Sequence, residues 1–542
     1  MVALIVAGLL GAGARAQVPA VDAGFTPVGE SSSDDCRRSA FVEQTEIPPD
    51  LRQSATLTDP NSGDRAGDSL CPEWIDTDHF RVHYATSGEN MIHGWPDTAY
   101  RDSLAFYLDH AYRCFHDSLG LPVPLGDGTR GGGVDRIDCY VHRLYNFNAA
   151  QAVAEWGGEH GECPRSCRGY LEMSPGLRIG PSLRGIAAHE YFHLVQFGIA
   201  NRGDWWFEES TAMWSMKAAW PGDTEYMQDM VTFVSEPYRE LTAASNLHDY
   251  GAGCYWVLLE ETQGRSLIVE LWKRYCQEEW LPVLDGMLRE AGSSFDQSLV
   301  QLALWCNATG KGADYRHYRD ARLYPQVRCQ AEHRVLPVAG ASIRPEVLAE
   351  AAGSNFIRFF GPGIRDTLCV TVDGDPSLRD KRRISLVATV SENRHTEWTL
   401  SPDTSGNVTM MVPNWSACDY VTLIVTNFLE AHGDLRFQYS AREVGPVVPV
   451  SATNLECVPN PFIGQAEIRF RCKGEPQDAS LTIFDSRGVQ VRAYPLQRRG
   501  RGEIRLVWDG RDERSRAVPC GCYYVRARFG SSLTTGKIVR VR

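Results

Sequence analysis

The sequence predicts an α+β domain over residues 71–335 followed by two all-β sandwich domains, at 336–445 and 453–542. Three observations predict it. Short runs of alternating apolar and polar residues occur before about residue 175, helix-length apolar periodicity fills 182–306, and short β-branched and aromatic runs fill the remainder. A chain of 542 residues is several times the usual domain size, in keeping with three folded parts. The net charge is −13 and no dense basic run is present, so nucleic acid is excluded as an expected partner.

Residues 1–16, MVALIVAGLLGAGARA, form an apolar run ending in Ala14-Arg15-Ala16, the small-x-small pattern that signal peptidases cut. A signal peptide and a secreted or cell-surface location are therefore expected, although no Lys or Arg precedes the run. No later stretch reaches the roughly twenty apolar residues of a membrane span. Residues 17–70 are polar and rich in turn formers, as in a linker or a propeptide.

Phe80 to Tyr84 and Ile137 to Val141 alternate as half-buried strands, and Gly169 to Met173 is a third. A helix is expected from about Ala99 to Leu119. Further helices are expected at 182–197, 205–219, 249–262, 265–277, 282–291 and 295–306, with Pro221-Gly222 and Gly264 as stops. Asn355 to Phe360, Leu368 to Val372, Ile384 to Val390 and Tyr420 to Val425 supply strands for the first sandwich. Gly445 to Val450 has the composition of a stiff linker. The sixteen cysteines lie apart from one another rather than in paired C-x-x-C knuckles, which predicts disulfides over structural zinc, including at Cys163/Cys167 and Cys520/Cys522.

Ala188-His189-Glu190-Tyr191-Phe192-His193 contains H-E-x-x-H. On a helix, residues four apart lie one turn above each other, so His189 and His193 can grip one ion, with Glu190 beside it. Zinc lowers the pKa of a bound water to about 7, and a carboxylate in that position can take its proton. The flanking Leu183, Ile186, Ala187, Leu194 and Phe197 are apolar, so the helix is expected to be buried, where a carboxylate needs a partner. A catalytic zinc site needs a third protein ligand. Gln196 and Ile199 stand where H-E-x-x-H-x-x-G-x-x-H would place glycine and histidine, which leaves a glutamate from a following helix. Glu209 is preferred over Glu208, because the small Ala212 one turn on lets two helices approach.

With Trp206, Glu209, Ala212 and Trp214 in the order W-x-x-E-x-x-A-x-W after H-E-x-x-H, the chain resembles the gluzincin metallopeptidases, loosely over 75–330. Ser210 stands where those proteins usually have glycine. The resemblance implies a zincin-like fold, Zn2+ as cofactor and a protein or peptide substrate. It also implies an oxyanion donor, for which Tyr250 and His248 are candidates, and an edge strand that pairs with extended substrate, for which Tyr170, Leu171 and Glu172 are candidates.

The last ninety residues carry Asn460-Pro461-Phe462, Leu481 to Asp485 with Gly488, Val507 to Asp512, Gly521 to Tyr524 and Lys537 to Val539. In this order they resemble immunoglobulin-like C-terminal modules of the flagellar hook-cap and type IX sorting kind, which implies delivery to, or attachment at, the bacterial cell surface. Two functions of different class follow: a secreted zinc endopeptidase, or a surface adhesin on a retired peptidase fold. Retention of Glu190 beside the two histidines favours the enzyme.

Overall fold

The computed structural model describes residues 65–542 apart from 127, 129, 134, 145–148, 156–162, 164, 245–246, 315, 391–393, 429–435, 448–450, 474–478, 496–501 and 530–531. The expected signal sequence and the polar segment up to residue 64 lie outside the described residues. The chain divides into two compact units. One takes the chain up to Asp204 with Ser215–Glu225 and Val269–Glu279, and the other takes Trp205–Trp214, Tyr226–Ile268 and Trp280–Arg542.

In the first unit, helix α1 (Ala66–Leu70) leads into strands β1 (Glu73–Asp76) and β2 (Phe80–Tyr84). Helix α2 (Ala99–Tyr112) continues as a π-helical turn over Arg113–Ser118, close to the expected 99–119. A short helix α3 (Arg130–Gly133) precedes β3 (Ile137–Val141), β4 (Ala150–Glu155) and β5 (Arg168–Met173). The five strands form one sheet in the order β1-β2-β3-β5-β4, in which β2, β3 and β5 run parallel and β1 and β4 antiparallel. The long helix α4 (Pro181–Ile199) packs on one face against β4 and β5 and against α2. Fourteen of its residues are buried, so its apolar surface runs almost all round, as expected of a helix enclosed by protein.

Helix α5 (Trp205–Ala219) passes through both units, and its bounds match the sequence expectation. It is followed by α6 (Met230–Ser235), α7 (His248–Gly251), α8 (Gly253–Gln263), α9 (Arg265–Tyr275), α10 (Trp280–Glu290) and α11 (Phe295–Asn307). The helix expected over 249–262 is thus two pieces, broken at Ala252.

The second unit also contains the β-rich parts. Strands β6 (Ala331–His333), β7 (Val338–Ser342), β8 (Ser354–Phe360), β9 (Arg365–Gly374), β10 (Arg382–Val390), β11 (Arg394–Leu400), β12 (Val408–Val412), β13 (Tyr420–Asn427) and β14 (Phe437–Val447) form two sheets. Their orders are β11-β10-β13-β8-β6 and β12-β9-β14-β7, and alternating residues of both, among them Ile357, Phe359, Val370, Leu386, Leu423 and Tyr439, share one core. Strands β15 (Ser451–Val458), β16 (Ala466–Lys473), β17 (Ala479–Asp485), β18 (Gln490–Pro495), β19 (Gly502–Trp508), β20 (Gly521–Phe529) and β21 (Ser532–Arg540) build a second pair of sheets. These are β15-β16-β19 and β18-β17-β20-β21, around Phe462, Ile468, Phe470, Ile483, Trp508 and Val525. The chain is therefore a multidomain α+β protein with sandwich-type β-domains at its C-terminal end. Of the expected linker, 445–447 is the end of β14 and 448–450 lies outside the described residues.

The expected disulfides are not found at the close pairs. Cys163 is a free thiol that donates to the Cys276 carbonyl at 3.3 Å, and Cys520 and Cys522 are both free. Cys71, Cys139, Cys254, Cys306, Cys369 and Cys418 are free and buried, where they serve as small apolar packing groups, and burial pushes the Cys418 thiol up to about 11.

Candidate metal centre

Helix α4 begins at Pro181 in its first turn, where the missing N–H costs nothing, and runs to Ile199. Its motif turn is held rigidly. Tyr191 shares a 2.6 Å hydrogen bond with His116 Nε2, while His116 Nδ1 stands 2.9 Å from the Leu121 carbonyl. Burial lowers the His116 pKa, so the ring is neutral near pH 7, with one nitrogen donating and the other accepting. Phe192 lies edge-on to Phe115 and Trp272, and Phe115 also stacks on Tyr191.

The four-residue spacing brings His189 and His193 together as the sequence predicts. Their ring centroids are 4.7 Å apart and the two Nε2 atoms 3.0 Å apart. One ligand atom each from His189, His193 and Glu209 all lie within 4.8 Å of one another. Two nitrogens at about 2.0–2.1 Å from one tetrahedral ion stand about 3.3 Å apart, so the imidazole pair, at 3.0 Å, is near the spacing at which both could hold one cation. All three side chains are buried, as is Glu190, which is fully enclosed. Glu209 joins the group, and Glu208 is not part of it.

Small residues lie at the contacts between these helices. A Cβ at Gly185 on α4 would stand 2.7 Å from the Met216 methyl of α5, and Ser215 on the same helix reaches the Ala188 carbonyl at 3.4 Å. The C-terminal half of α5 is thereby laid along α4. On its other side, a Cβ at Gly253 of α8 would stand 2.8 Å from Met213 Cβ. Ser210, where glycine is usual in the resembling proteins, is accommodated: its hydroxyl donates to the Trp206 carbonyl and accepts the Trp256 indole N–H at 2.7 Å. Trp214 donates to Glu260 at 2.6 Å, and Trp205 donates to Asp249 at 2.5 Å. Burial first, and then the charge of Glu209, push the Asp249 carboxyl up to about 6. Asp249 is a neighbour of the site that sequence reasoning did not single out as a functional residue.

The residues nominated as oxyanion donors, His248 and Tyr250, lie on the short helix α7, and both are buried. His248 packs against Phe233, with ring centroids 4.9 Å apart. Burial and then the Arg239 charge push it down to about 4, so it stays neutral above that pH. His248 is not part of the His–His–Glu group.

The substrate-strand expectation is corrected. Tyr170, Leu171 and Glu172 lie on β5, which is an interior strand paired with β3 on one side and β4 on the other. Its backbone groups are already engaged in two ladders and cannot pair with a further strand. Gly169 faces Leu194 and Phe197 of α4, so alternation turns Tyr170 and Glu172 to the opposite face of the sheet. There Arg65 stacks on Tyr170, and Glu172 meets His142 at 3.2 Å and the Gln151 amide. The edge is β4, which packs beside α4.

No family model and no curated protein matches the chain. Among solved structures it is similar to PorZ, described as a bacterial surface component of the type IX secretion system of Porphyromonas gingivalis, at 13% identity and a TM-score of 0.13 over 29% of this chain. It is similar to dimeric latent PorU from the same organism at 14% identity and a TM-score of 0.16 over 40% of this chain. A third likeness is to a GH2 β-galacturonidase from Eisenbergiella tayi, at 12% identity and a TM-score of 0.14 over 34% of this chain. The matches span 22%, 19% and 34% of those proteins' own lengths. At such TM-scores these likenesses assign neither a family nor an activity. Among the described residues no helix is long and apolar enough to cross a membrane.

Proposed function

We propose that this chain is a zinc-dependent endopeptidase that acts outside the cytoplasm. The observation that carries the reading is the convergence of His189, His193 and Glu209 ligand atoms within 4.8 Å, with Glu190 adjacent on the same helix. Two imidazoles and one carboxylate are the ligand set of hydrolytic zinc sites, which keep a further position for water or substrate. The same nitrogen and oxygen donors accept other transition metals, but softer thiolate ligands are absent from the group.

When bound, zinc supplies Lewis-acid polarisation of a peptide carbonyl and makes water a stronger acid. His189, His193 and Glu209 fix the position at which that occurs. Glu190, held in a protein-enclosed turn, takes the proton of the attacking water and delivers it to the departing amine nitrogen. His248 and Tyr250 are the proposed donors to the developing oxyanion. For the substrate backbone β4, Ala150–Glu155, takes the role expected of β5, since it is antiparallel to its neighbour and, among the described residues, has no strand on its other side in the sheet order. The C-terminal module, with its two sheets around Trp508, is proposed to deliver or attach the enzyme at the cell surface.

The test is metal analysis followed by cleavage of an unstructured protein substrate by wild type and Glu190→Gln. Stoichiometric zinc in both, with cleavage reduced by about 10²–10⁴-fold in the variant, is expected for loss of a general base. Zinc in both with no cleavage by wild type would instead favour a binding protein on a retired site.

A further inference from the structure

We propose that Gln196 is a positioning residue for His193: its side-chain carbonyl accepts the Nδ1 proton and so leaves Nε2 as the nitrogen that ligates the metal. The proposal rests on reading His189, His193 and Glu209 as a metal site. It goes beyond that reading by assigning a residue that no part of the H-E-x-x-H pattern specifies.

Gln196 follows His193 by three positions on α4, which sets the two side chains on neighbouring turns of one face. It is 1% exposed, and its Oε1 lies 2.7 Å from His193 Nδ1. An amide oxygen only accepts, so this contact requires a proton on Nδ1. A neutral imidazole then carries its lone pair on Nε2, and that is the atom standing 3.0 Å from His189 Nε2. With its lone pair on Nε2, His193 presents towards His189 the atom that can ligate a cation, so the tautomer fixed by Gln196 is the one suited to a metal.

The residue type also matters. A carboxylate at position 196 would accept the same proton, but it would add a third acid to a buried region that already holds Glu190 and Glu209. An amide orients the ring without that charge. Residues that hold a ligand in this way are worth about 10- to 100-fold in metal affinity.

The experiment measures zinc dissociation constants by competition with a chromophoric chelator for full-length wild type, Gln196→Leu and Gln196→Glu. Gln196→Leu is expected to bind zinc about 10- to 100-fold more weakly. Gln196→Glu, which keeps an acceptor at the same reach, should bind within a few-fold of wild type or more tightly. Equal affinity for wild type and Gln196→Leu overturns the proposal while leaving the metal site intact. Wild type that takes up no zinc overturns both. Because a buried substitution can unfold the helix, long-range proton–nitrogen NMR on the zinc-loaded wild type provides an independent readout. A protonated Nδ1 and a metal-bound Nε2 on His193 support the assignment, and ligation through Nδ1 overturns it.

Discussion

On the face of the mixed sheet that carries Tyr140 and Tyr170, each buried acid meets a cation of the protein itself. Around His189 and His193, carboxylates gather against imidazoles whose Nε2 atoms face each other. On the sheet, Asp138 is 2.5 Å from Arg65 and 2.8 Å from His83, and Glu155 is 2.8 Å from Arg65 and 3.2 Å from Arg130. Glu172 stands 3.2 Å from His142. The same residue types occupy both regions and both are buried. Buried histidine and carboxylate alone therefore do not mark a site; what distinguishes one is convergence of acceptors on a common point with spacing suited to an ion.

The largest effect separating the two regions is on activity. Glu190→Gln is expected to reduce peptide hydrolysis by about 10²–10⁴-fold without loss of zinc, whereas His142→Gln on the sheet leaves the rate within about twofold. Comparable losses in both variants would break the distinction. Next is metal retention. Glu209→Gln should lose zinc on dialysis against a mild chelator and Glu208→Gln should keep it, because only Glu209 shares the 4.8 Å group. Retention by both variants would show that the third ligand lies elsewhere.

The sheet network should respond in stability instead. Arg65 and Asp138 are almost fully buried, at 2% and 1% side-chain exposure. Arg65→Ala leaves that carboxylate with less compensation and should destabilise the first unit by about 3–5 kcal/mol, read by denaturant unfolding. Zinc content should be unchanged. Adding Asp138→Asn should recover part of the loss, and no recovery would mean that the arginine acts through its packing on Tyr170.

The smallest effect is a pH dependence. Burial alone would lower the His142 pKa, but the ion pair with Glu172 outweighs it, and the net shift is upward. The protonated form is thus favoured in the folded state, and its contribution to stability is fully present below the unfolded pKa of about 6.5 and is lost as pH rises through the folded value. The fall in melting temperature between pH 6 and pH 9 should be larger for wild type than for His142→Gln. An equal fall in both would remove His142 from the account.

How far the sequence foretold this arrangement follows from which forces are local. The four-residue spacing of His189 and His193 is a helix property, so their meeting was legible. The edge strand was not. Ala150-Gln-Ala-Val-Ala-Glu155 is alanine-rich and contains one β-branched residue, so propensity hides it, and pairing with β5 makes it a strand. Tyr170 to Met173 displays the stronger strand pattern because it is enclosed on both sides, and that same enclosure removes it from substrate pairing. The break of the helix at Ala252 falls between Gly251 and Gly253, a local signal passed over, whereas the proximity of Asp249 to Glu209 is tertiary. The even cysteine count suggested bridges, but at 163/167 and 520/522 the structure shows no bond within either close pair.

The most direct measurement of the central claim is zinc-edge X-ray absorption on the purified full-length protein, with metal quantified by elemental analysis. The account predicts one zinc per chain, bound by two imidazole nitrogens at about 2.0–2.1 Å and carboxylate or water oxygen at about 2.0–2.2 Å. A protein with no zinc after reconstitution, or a spectrum dominated by sulfur at about 2.3 Å, would contradict it.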